Sequence, residues 1–506
     1  MKKINFLNWR LILICTCLVF SIIAVSYKVI SVQIEDSLFL KNEGKKRYIK
    51  YRTINPVRGT IYDRNNTPLA VSIINYDLYA LSGLNTNRFL KLKDAISIQD
   101  EILIDGSFSK KTLLKKGLTL DEQKTINELH FNNIEIEIRH SRHYPLGDQI
   151  APLIGFYGKD RAQEGIEKSY DSVLSGKNGK QKYYTNAKQK IISKPIEVIK
   201  TIQGQDIQLT IDSTIQFYAY KYLVEAISNN KAKAGTVLVF DNKNGEILAI
   251  ASYPSYNPNN PKREIQKNRA LIEAYELGSV LKPIVFSKAI DKKIFSPDKH
   301  IEIPRRLELG NTIITDPKIY EKLTPKEIVA YSSQVGASKI ALKLGYEDLK
   351  NNYYSFGFTK PISINFPSAA FGLMNAKETV SDRELASLGY GYGLKVSPFQ
   401  LTAAYSTFAN NGIRKEFKLL MNDEVTSQRV ISESSARHTL EALEKVVKIG
   451  TGKKADIVGF TEGGKTGTVH RTVSGAGYAD DLYRASFVGI TPLSEDSLTI
   501  FVSIED

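Results

Sequence analysis

Residues 11–34 constrain everything that follows them. Leu11 to Tyr27 runs without a charged side chain, and apolar character resumes after Lys28 as far as Ile34. That length is enough to cross a bilayer. Lys2, Lys3 and Arg10 precede the run with no acid among them. The bias predicts a cytoplasmic tail at 1–10, a transmembrane anchor at 11–34 and export of the remainder. Ala24-Val25-Ser26 is a small-residue site that a cleaved signal peptide would also show. The polar stretch that normally accompanies cleavage is missing, so the reading taken is an uncleaved anchor.

A chain of 506 residues exceeds one core, and two or three domains are expected. Lys and Arg number 69 against 54 Asp and Glu, a formal net charge of +15. No compact basic block is interleaved with aromatics, so the lysines read as dispersed and solvated, and no nucleic-acid partner is expected. Cys15 and Cys17 are the only cysteines, both inside the apolar run, so the exported part must be held by core burial without disulfides. Among the six histidines, His140 and His143 stand three apart, but no Cys, Asp or Glu pattern completes a metal site. No metal and no cofactor is expected.

Lys41 to Arg52 is a basic stalk. Residues 56–70 read as strand, Asn65-Asn66 turn, strand. Residues 85–135 mix helical periodicity with short strands. Leu209 to Ser213 reads as a short strand and helix cap, followed by helical spacing of Ile215, Tyr218, Leu223 and Ile227. Gly235–Phe240 and Glu246–Ser252 form a hairpin. Strands and helices alternate without a βαβ rhythm, which predicts an α+β fold with an antiparallel sheet flanked by helices.

The stretch with chemical content is Gly278-Ser279-Val280-Leu281-Lys282-Pro283. Ser279 and Lys282, three apart, share one helical face. At a helix start Ser279 would present its own N–H outward, and Pro283 fits only near the first turn. A capping serine followed by a surface lysine would give the same spacing, and Ser107 to Lys110 repeats it with no other signal. No Ser-His-Asp set is apparent, so a neutral lysine is the available base. Its pKa must fall from about 10.4 to near 7–8, worth roughly 3–5 kcal/mol. Burial and a second cation both act in that direction, and Lys465 is the candidate cation. Gly463-Gly464-Lys465-Thr466-Gly467-Thr468 reads as an edge strand along which another backbone can lie. Thr466 and Thr468 fall on one face and could hold a carboxylate. A Gly-rich turn is the bland alternative. Ser332-Ser333-Gln334 lies in Leu323 to Leu344, read as a helical stretch, where a hydroxyl could relay a proton.

Ser-x-x-Lys, Ser-Ser-Gln and Lys-Thr-Gly, in this order, resemble the motif set of penicillin-binding proteins and serine β-lactamases. The chain resembles a class B penicillin-binding protein, a peptidoglycan D,D-transpeptidase, over nearly its whole length. Arg58-Gly59-Thr60-Ile61-Tyr62-Asp63-Arg64 and Gly165-Ile166-Glu167 resemble motifs of the family's non-catalytic pedestal. Asn268-Arg269-Ala270-Leu271, Tyr390-Gly391-Tyr392-Gly393 and Ser397-Pro398-Phe399-Gln400-Leu401 match its second half. Arg484-Ala485-Ser486-Phe487-Val488-Gly489 is similar to the cell-division, or septal, branch.

The resemblance implies an elongated pedestal at 35–204, resembling a dimerisation domain, and a transpeptidase domain at 205–506 with the penicillin-binding, serine β-lactamase-like fold. It implies Ser279 as the acylated nucleophile, Lys282 as its base, Ser332 as proton relay and Lys465 as positive field. It also implies an oxyanion hole from the N–H groups of Ser279 and Thr468, and substrate contacts from Gln334, Thr466, Gly467 and Thr468. Peptidoglycan stem peptides and β-lactams are the implied ligands. A membrane glycosyltransferase and division proteins are the implied partners, with the catalytic domain outside the inner membrane. Three features depart from the family pattern. Gln334 stands for the usual Asn, Leu277 stands for the usual Pro, and the sequence stops at Asp506 after a strand at 497–504 where relatives continue into a helix. That last departure leads to the expectation of an exposed sheet face or a sequence that is a fragment. The alternatives are a catalytically weak division scaffold and an elongation-type transpeptidase. A secreted β-lactamase fits the anchor and long pedestal poorly.

Overall fold

The computed structural model describes residues 6–34, 36–98, 107–158, 161–187, 191–261, 267–374, 377–473 and 477–505. Lys2 and Lys3, which orient the anchor in the sequence reading, and Asp506 lie outside the described residues. The chain divides into two compact units, Met1–Val57 with Ser175–Gly204, and Arg58–Leu174 with Gln205–Asp506.

The first unit holds the helix Phe6–Ile34, in which Trp9–Ile34 is long and apolar enough to cross a membrane and leaves its most apolar window exposed. A second helix, Ser37–Tyr48, leads into a three-stranded antiparallel sheet of Ile49–Ile54, Gly179–Tyr184 and Ile196–Ile199, with Gly179–Tyr184 in the middle.

In the second unit, Ile61–Tyr62 and Pro68–Ala80 form the expected hairpin. Asp63 Oδ1 accepts the N–H groups of Asn65 and Thr67 at 2.8 and 2.7 Å, and Asn66 takes φ 62°, a left-handed turn conformation that asparagine tolerates. Pro68–Ala80 then pairs with Ile134–His143. Helices Thr86–Ala95 and Leu120–Glu128 close a small core around Leu78, Phe89, Leu92, Leu114 and Ile126. Three sequence fragments converge beside it. Arg58 and Arg142 each donate from Nε to the fully buried Glu167 carboxylate at 2.6 Å, and Tyr144 adds its hydroxyl at 3.3 Å. Glu167 sits buried between two cations, and Arg58 also pairs with Asp171 at 2.5 Å, so the three fragments lock one another in place.

The larger part of this unit is a five-stranded antiparallel sheet in the order Glu246–Tyr253, Ala234–Asp241, Leu498–Glu505, Gly477–Thr491, Gly463–Val473. Ala234–Asp241 is buried on both faces, which explains its unbroken apolar run. Leu223 and Ile227 of the helix Ser213–Asn230 pack on Val237, Val239 and Leu248. On the same outer face Leu498, Ile500, Val502 and Ile504 are partly buried. The opposite face buries Phe240 and Phe501 with Phe399, Tyr405 and Phe408 of Pro398–Ala409. The α+β architecture with an antiparallel sheet between helices is the one expected.

Residues 323–344, expected to be a helical stretch, are helical on both sides of a break. The structure breaks it into Pro325–Ala330 and Gln334–Leu344, with Ser332 at φ 61° between them. A left-handed L-residue ends a helix, and for serine that conformation costs about 1–2 kcal/mol. Neighbours that the local sequence does not announce hold it there.

Candidate active site

Ser279 lies in a short 3₁₀ turn, Gly278–Leu281, that runs directly into the helix Lys282–Asp291 with Pro283 in its first turn. Two contacts fix the turn. Gly278 N–H donates to Gly391 O at 3.2 Å, and the Tyr405 hydroxyl donates to Val280 O at 2.6 Å. The edge strand Gly463–Val473 passes against it. A Cβ on Gly467 would stand 2.8 Å from Leu277 O and 3.0 Å from Val280 Cγ1, while one on Gly278, whose φ is +62°, would stand 2.6 Å from Val469 Cγ1. Glycine at both positions is what lets strand and turn touch.

Lys282 and Lys465 are among the most buried large side chains in the molecule, at 2 % and 0 % exposure. Both aim at Ser332. Lys282 Nζ donates to Ser332 O at 2.5 Å and to Ser332 Oγ at 3.2 Å. Lys465 Nζ donates to the same Oγ at 3.0 Å and to Thr466 O at 2.9 Å. Burial pushes Lys282 down to about 7, opposed by the negative charge of Asp316. Burial and then repulsion from Lys282 push Lys465 well below the ordinary lysine value. Desolvation is the largest cause at both lysines, and the repulsion between the two ammonium groups belongs to the pair.

Counting valences shows what this arrangement can do. A neutral amine has two N–H bonds and one lone pair. With Lys282 N–H bonds engaged by the carbonyl and hydroxyl oxygens of Ser332, its lone pair is left to take a proton. Ser332 Oγ accepts from both lysines, so its own O–H points to a third partner. One hydroxyl thus connects a base to a neighbouring proton source.

Asp316 is the residue that sequence reasoning missed. Its carboxylate accepts the Ser333 hydroxyl at 2.5 Å, and the N–H groups of Gln334 and Val335 at 2.5 and 3.2 Å. It caps the helix Gln334–Leu344 and secures the segment in which Ser332 is left-handed. Asp316 precedes Pro317, a pattern that signals only a turn. Thr451 was missed as well. Its hydroxyl is 2.7 Å from that of Thr466. Thr468 is exposed on the edge strand, and Gly467 is buried. Gln334 is brought to the site through its backbone, and its side-chain amide makes no hydrogen bond among the described residues.

The chain matches the family model described as the penicillin binding protein transpeptidase domain over residues 235–506, and that of the penicillin-binding protein dimerisation domain over residues 53–209. It is 33% identical over 513 residues to a probable peptidoglycan D,D-transpeptidase PbpC of Pseudomonas aeruginosa, covering 98% of this chain and 90% of that protein. It is 31% identical over 521 residues to the peptidoglycan D,D-transpeptidase FtsI of Escherichia coli, covering 99% and 88%. Among solved structures, penicillin binding protein 3 of Mycobacterium tuberculosis in complex with aztreonam aligns with a TM-score of 0.70 at 24% identity, covering 90% of this chain and 91% of that one. A chain of a peptidoglycan synthase complex that coordinates polymerization and crosslinking aligns with a TM-score of 0.78 at 20% identity, covering 98% and 94%.

Proposed function

Because the chain belongs to the class B penicillin-binding proteins, we propose that Ser279, Lys282, Ser332 and Lys465 are the residues that perform its chemistry. The chain is a serine-type peptidoglycan D,D-transpeptidase of the septal kind. Lys282 takes the Ser279 proton as Oγ attacks the penultimate D-alanine carbonyl of a stem peptide. The N–H groups of Ser279 and Thr468 hold the oxyanion, each worth ~2.7–4 kcal/mol to the transition state. As the intermediate collapses, the terminal D-alanine nitrogen receives a proton through the Ser332 hydroxyl, Lys282 replenishes that hydroxyl, and Lys465 supplies positive field. An amine of a neighbouring stem peptide then attacks the ester, forms the crosslink and restores Ser279. The open edge of Gly463–Val473 is a place for the donor peptide to lie as an added strand, with its terminal carboxylate on Thr466 and Thr468, beside Gly467 and Gln334. A β-lactam enters by the same route and stays on Ser279.

The observation that carries this reading is the single hydroxyl, Ser332, within hydrogen-bond distance of two buried lysines whose pKa values are depressed. Labelling with a fluorescent penicillin, followed by intact-mass and peptide analysis, should place one adduct on Ser279. No adduct, together with complementation of a depleted strain by Ser279→Ala, would reject the assignment and favour the scaffold alternative.

The domain limits follow the same reading, with the pedestal at 35–204 and the transpeptidase domain at 205–506. Trp9–Ile34 is the one candidate span among the described residues, and membership of the family is what supports a cytoplasmic N-terminus and a catalytic unit outside the inner membrane. The partner that polymerises glycan is a membrane glycosyltransferase. This inference rests on likeness to the synthase complex.

A further inference from the structure

Segments 35–57 and 175–204, which fold into one unit, hold 13 lysines and arginines against 4 acids. Their net +9 is more than half of the chain's +15, carried by 53 of its 506 residues. The lysines that look dispersed along the sequence are concentrated by the fold.

They are also interleaved with aromatic and branched apolar side chains on one face of the small sheet. The register places Tyr51 opposite Lys182, Ile199 opposite Lys180 and Ile196 opposite Lys182. Tyr184, two residues on from Lys182, shares that face. Lys180 Nζ lies 4.5 Å from the centroid of Tyr51, and Lys182 Nζ lies 5.2 Å from that of Tyr184. Yet Tyr51, Ile196 and Ile199 are each 50 % or more exposed. The preceding helix Ser37–Tyr48 buries no residue and exposes Leu38 and Phe39. Isolated exposed apolar residues are ordinary, but a cluster rimmed by lysines marks a contact surface.

We propose that this face docks on the surface of the bilayer that the anchor crosses and binds anionic lipid headgroups there. The proposal rests on the anchoring reading above. Three observations select a lipid surface as the occupant. The charge has the sign that anionic lipid attracts. The mixture of Tyr, Ile and Lys is that of interfacial segments, whose rings and stems bury while ammonium groups reach phosphates. The tether is also short. The helix between span and sheet has 12 residues, a rise of about 18 Å, so the sheet cannot travel far from the headgroups. Docking would hold the stalk against the bilayer instead of leaving it a free hinge.

The test uses the full chain in nanodiscs, with Cys15 and Cys17 changed to Ser and an environment-sensitive dye on Ile199→Cys. In discs of phosphatidylcholine with phosphatidylglycerol at ~0.05 M salt, the dye should shift to the blue and be quenched by doxyl-labelled lipid. At ~0.5 M salt both effects should fade, because exposed charges are screened within a few ångströms. Lys180→Gln and Lys182→Gln should each reduce the docked-to-undocked ratio about five-fold. A chain that incorporates but gives the same spectrum in neutral and anionic discs overturns the proposal and leaves the anchor intact. A shift seen only with a co-reconstituted membrane protein also overturns it, in favour of a protein interface. A chain that fails to incorporate overturns the anchor and the proposal together.

Discussion

The base in this reaction should be visible in the pH dependence of acylation. Burial brings Lys282 from 10.5 to about 7, a displacement corresponding to ~5 kcal/mol of lost ammonium solvation. A group centred there is about a tenth neutral at pH 6, half neutral at pH 7 and nine tenths neutral at pH 8. The second-order rate constant for acylation by a penicillin should therefore climb close to ten-fold between those limits, then level off. Rates would be read by fluorescent-penicillin capture or stopped flow on the purified chain, with the melting temperature recorded at every pH. The sign of the stability effect separates the two. The folded-state pKa lies below the unfolded one, so the unfolded chain binds more protons between about 7 and 10.5, and this group makes stability rise with pH across that window only. Below pH 7 it is protonated in both states, so a rate that keeps falling there while the melting temperature stays level reports the base. Lys282→Arg keeps a long cation that cannot be deprotonated, and should lose about 10²–10⁴-fold with no remaining rise. A flat wild-type profile from pH 6 to 8, or an arginine variant within ten-fold of wild type, would refute the assignment of Lys282.

Asp316→Asn removes the charge that supports the Lys282 ammonium and weakens the cap on Gln334–Leu344. The acylation midpoint should move to lower pH and stability should drop by ~1–2 kcal/mol, so an unmoved midpoint would show that Asp316 has no electrostatic role. Gly467→Ala introduces a methyl 2.8 Å from Leu277 O. The strain of ~1–3 kcal/mol should separate strand from serine turn and slow acylation, and wild-type kinetics would mean the close approach is dispensable. Glu167→Gln leaves Arg58 and Arg142 facing a neutral amide in a buried site. The loss of ~3–5 kcal/mol should lower the first thermal transition, while penicillin labelling well below that temperature continues. No change in melting would mean that the cluster is solvated.

Legibility in the sequence follows the range of the interactions involved. Ser279 and Lys282 stand out in the sequence because a spacing of three puts two residues on one helical face, and Lys465 because a strand of Gly and Thr announces an edge; the structure brings the two lysines together at Ser332. The antiparallel sheet was readable from hairpins such as Ala234–Asp241 with Glu246–Tyr253, whose turn is set by Asp241 accepting the N–H groups of Lys243 and Asn244. Ser332 was found by motif, but its backbone was misread, because the residues around it have helical propensity and its left-handed conformation is imposed from elsewhere. Asp316, sixteen residues upstream, imposes part of it. Nothing in 323–344 encodes that partner, and nothing in Thr466 points to Thr451. Glu167 shows the same limit in the pedestal. Its motif and that of Arg58 were each visible, but its meetings with Arg58 and Arg142 span 109 and 25 residues, separations over which spacing carries no information. The two lysines of the site make the last step. Each is depressed by burial, and burial exists only when the sheet, the serine helix and the Ser332 segment close together. On the proposed assignment the reactivity of Ser279 is a property of the assembled core, and a substitution that loosens packing around Lys282 and Lys465 should raise the Lys282 midpoint before it unfolds the domain.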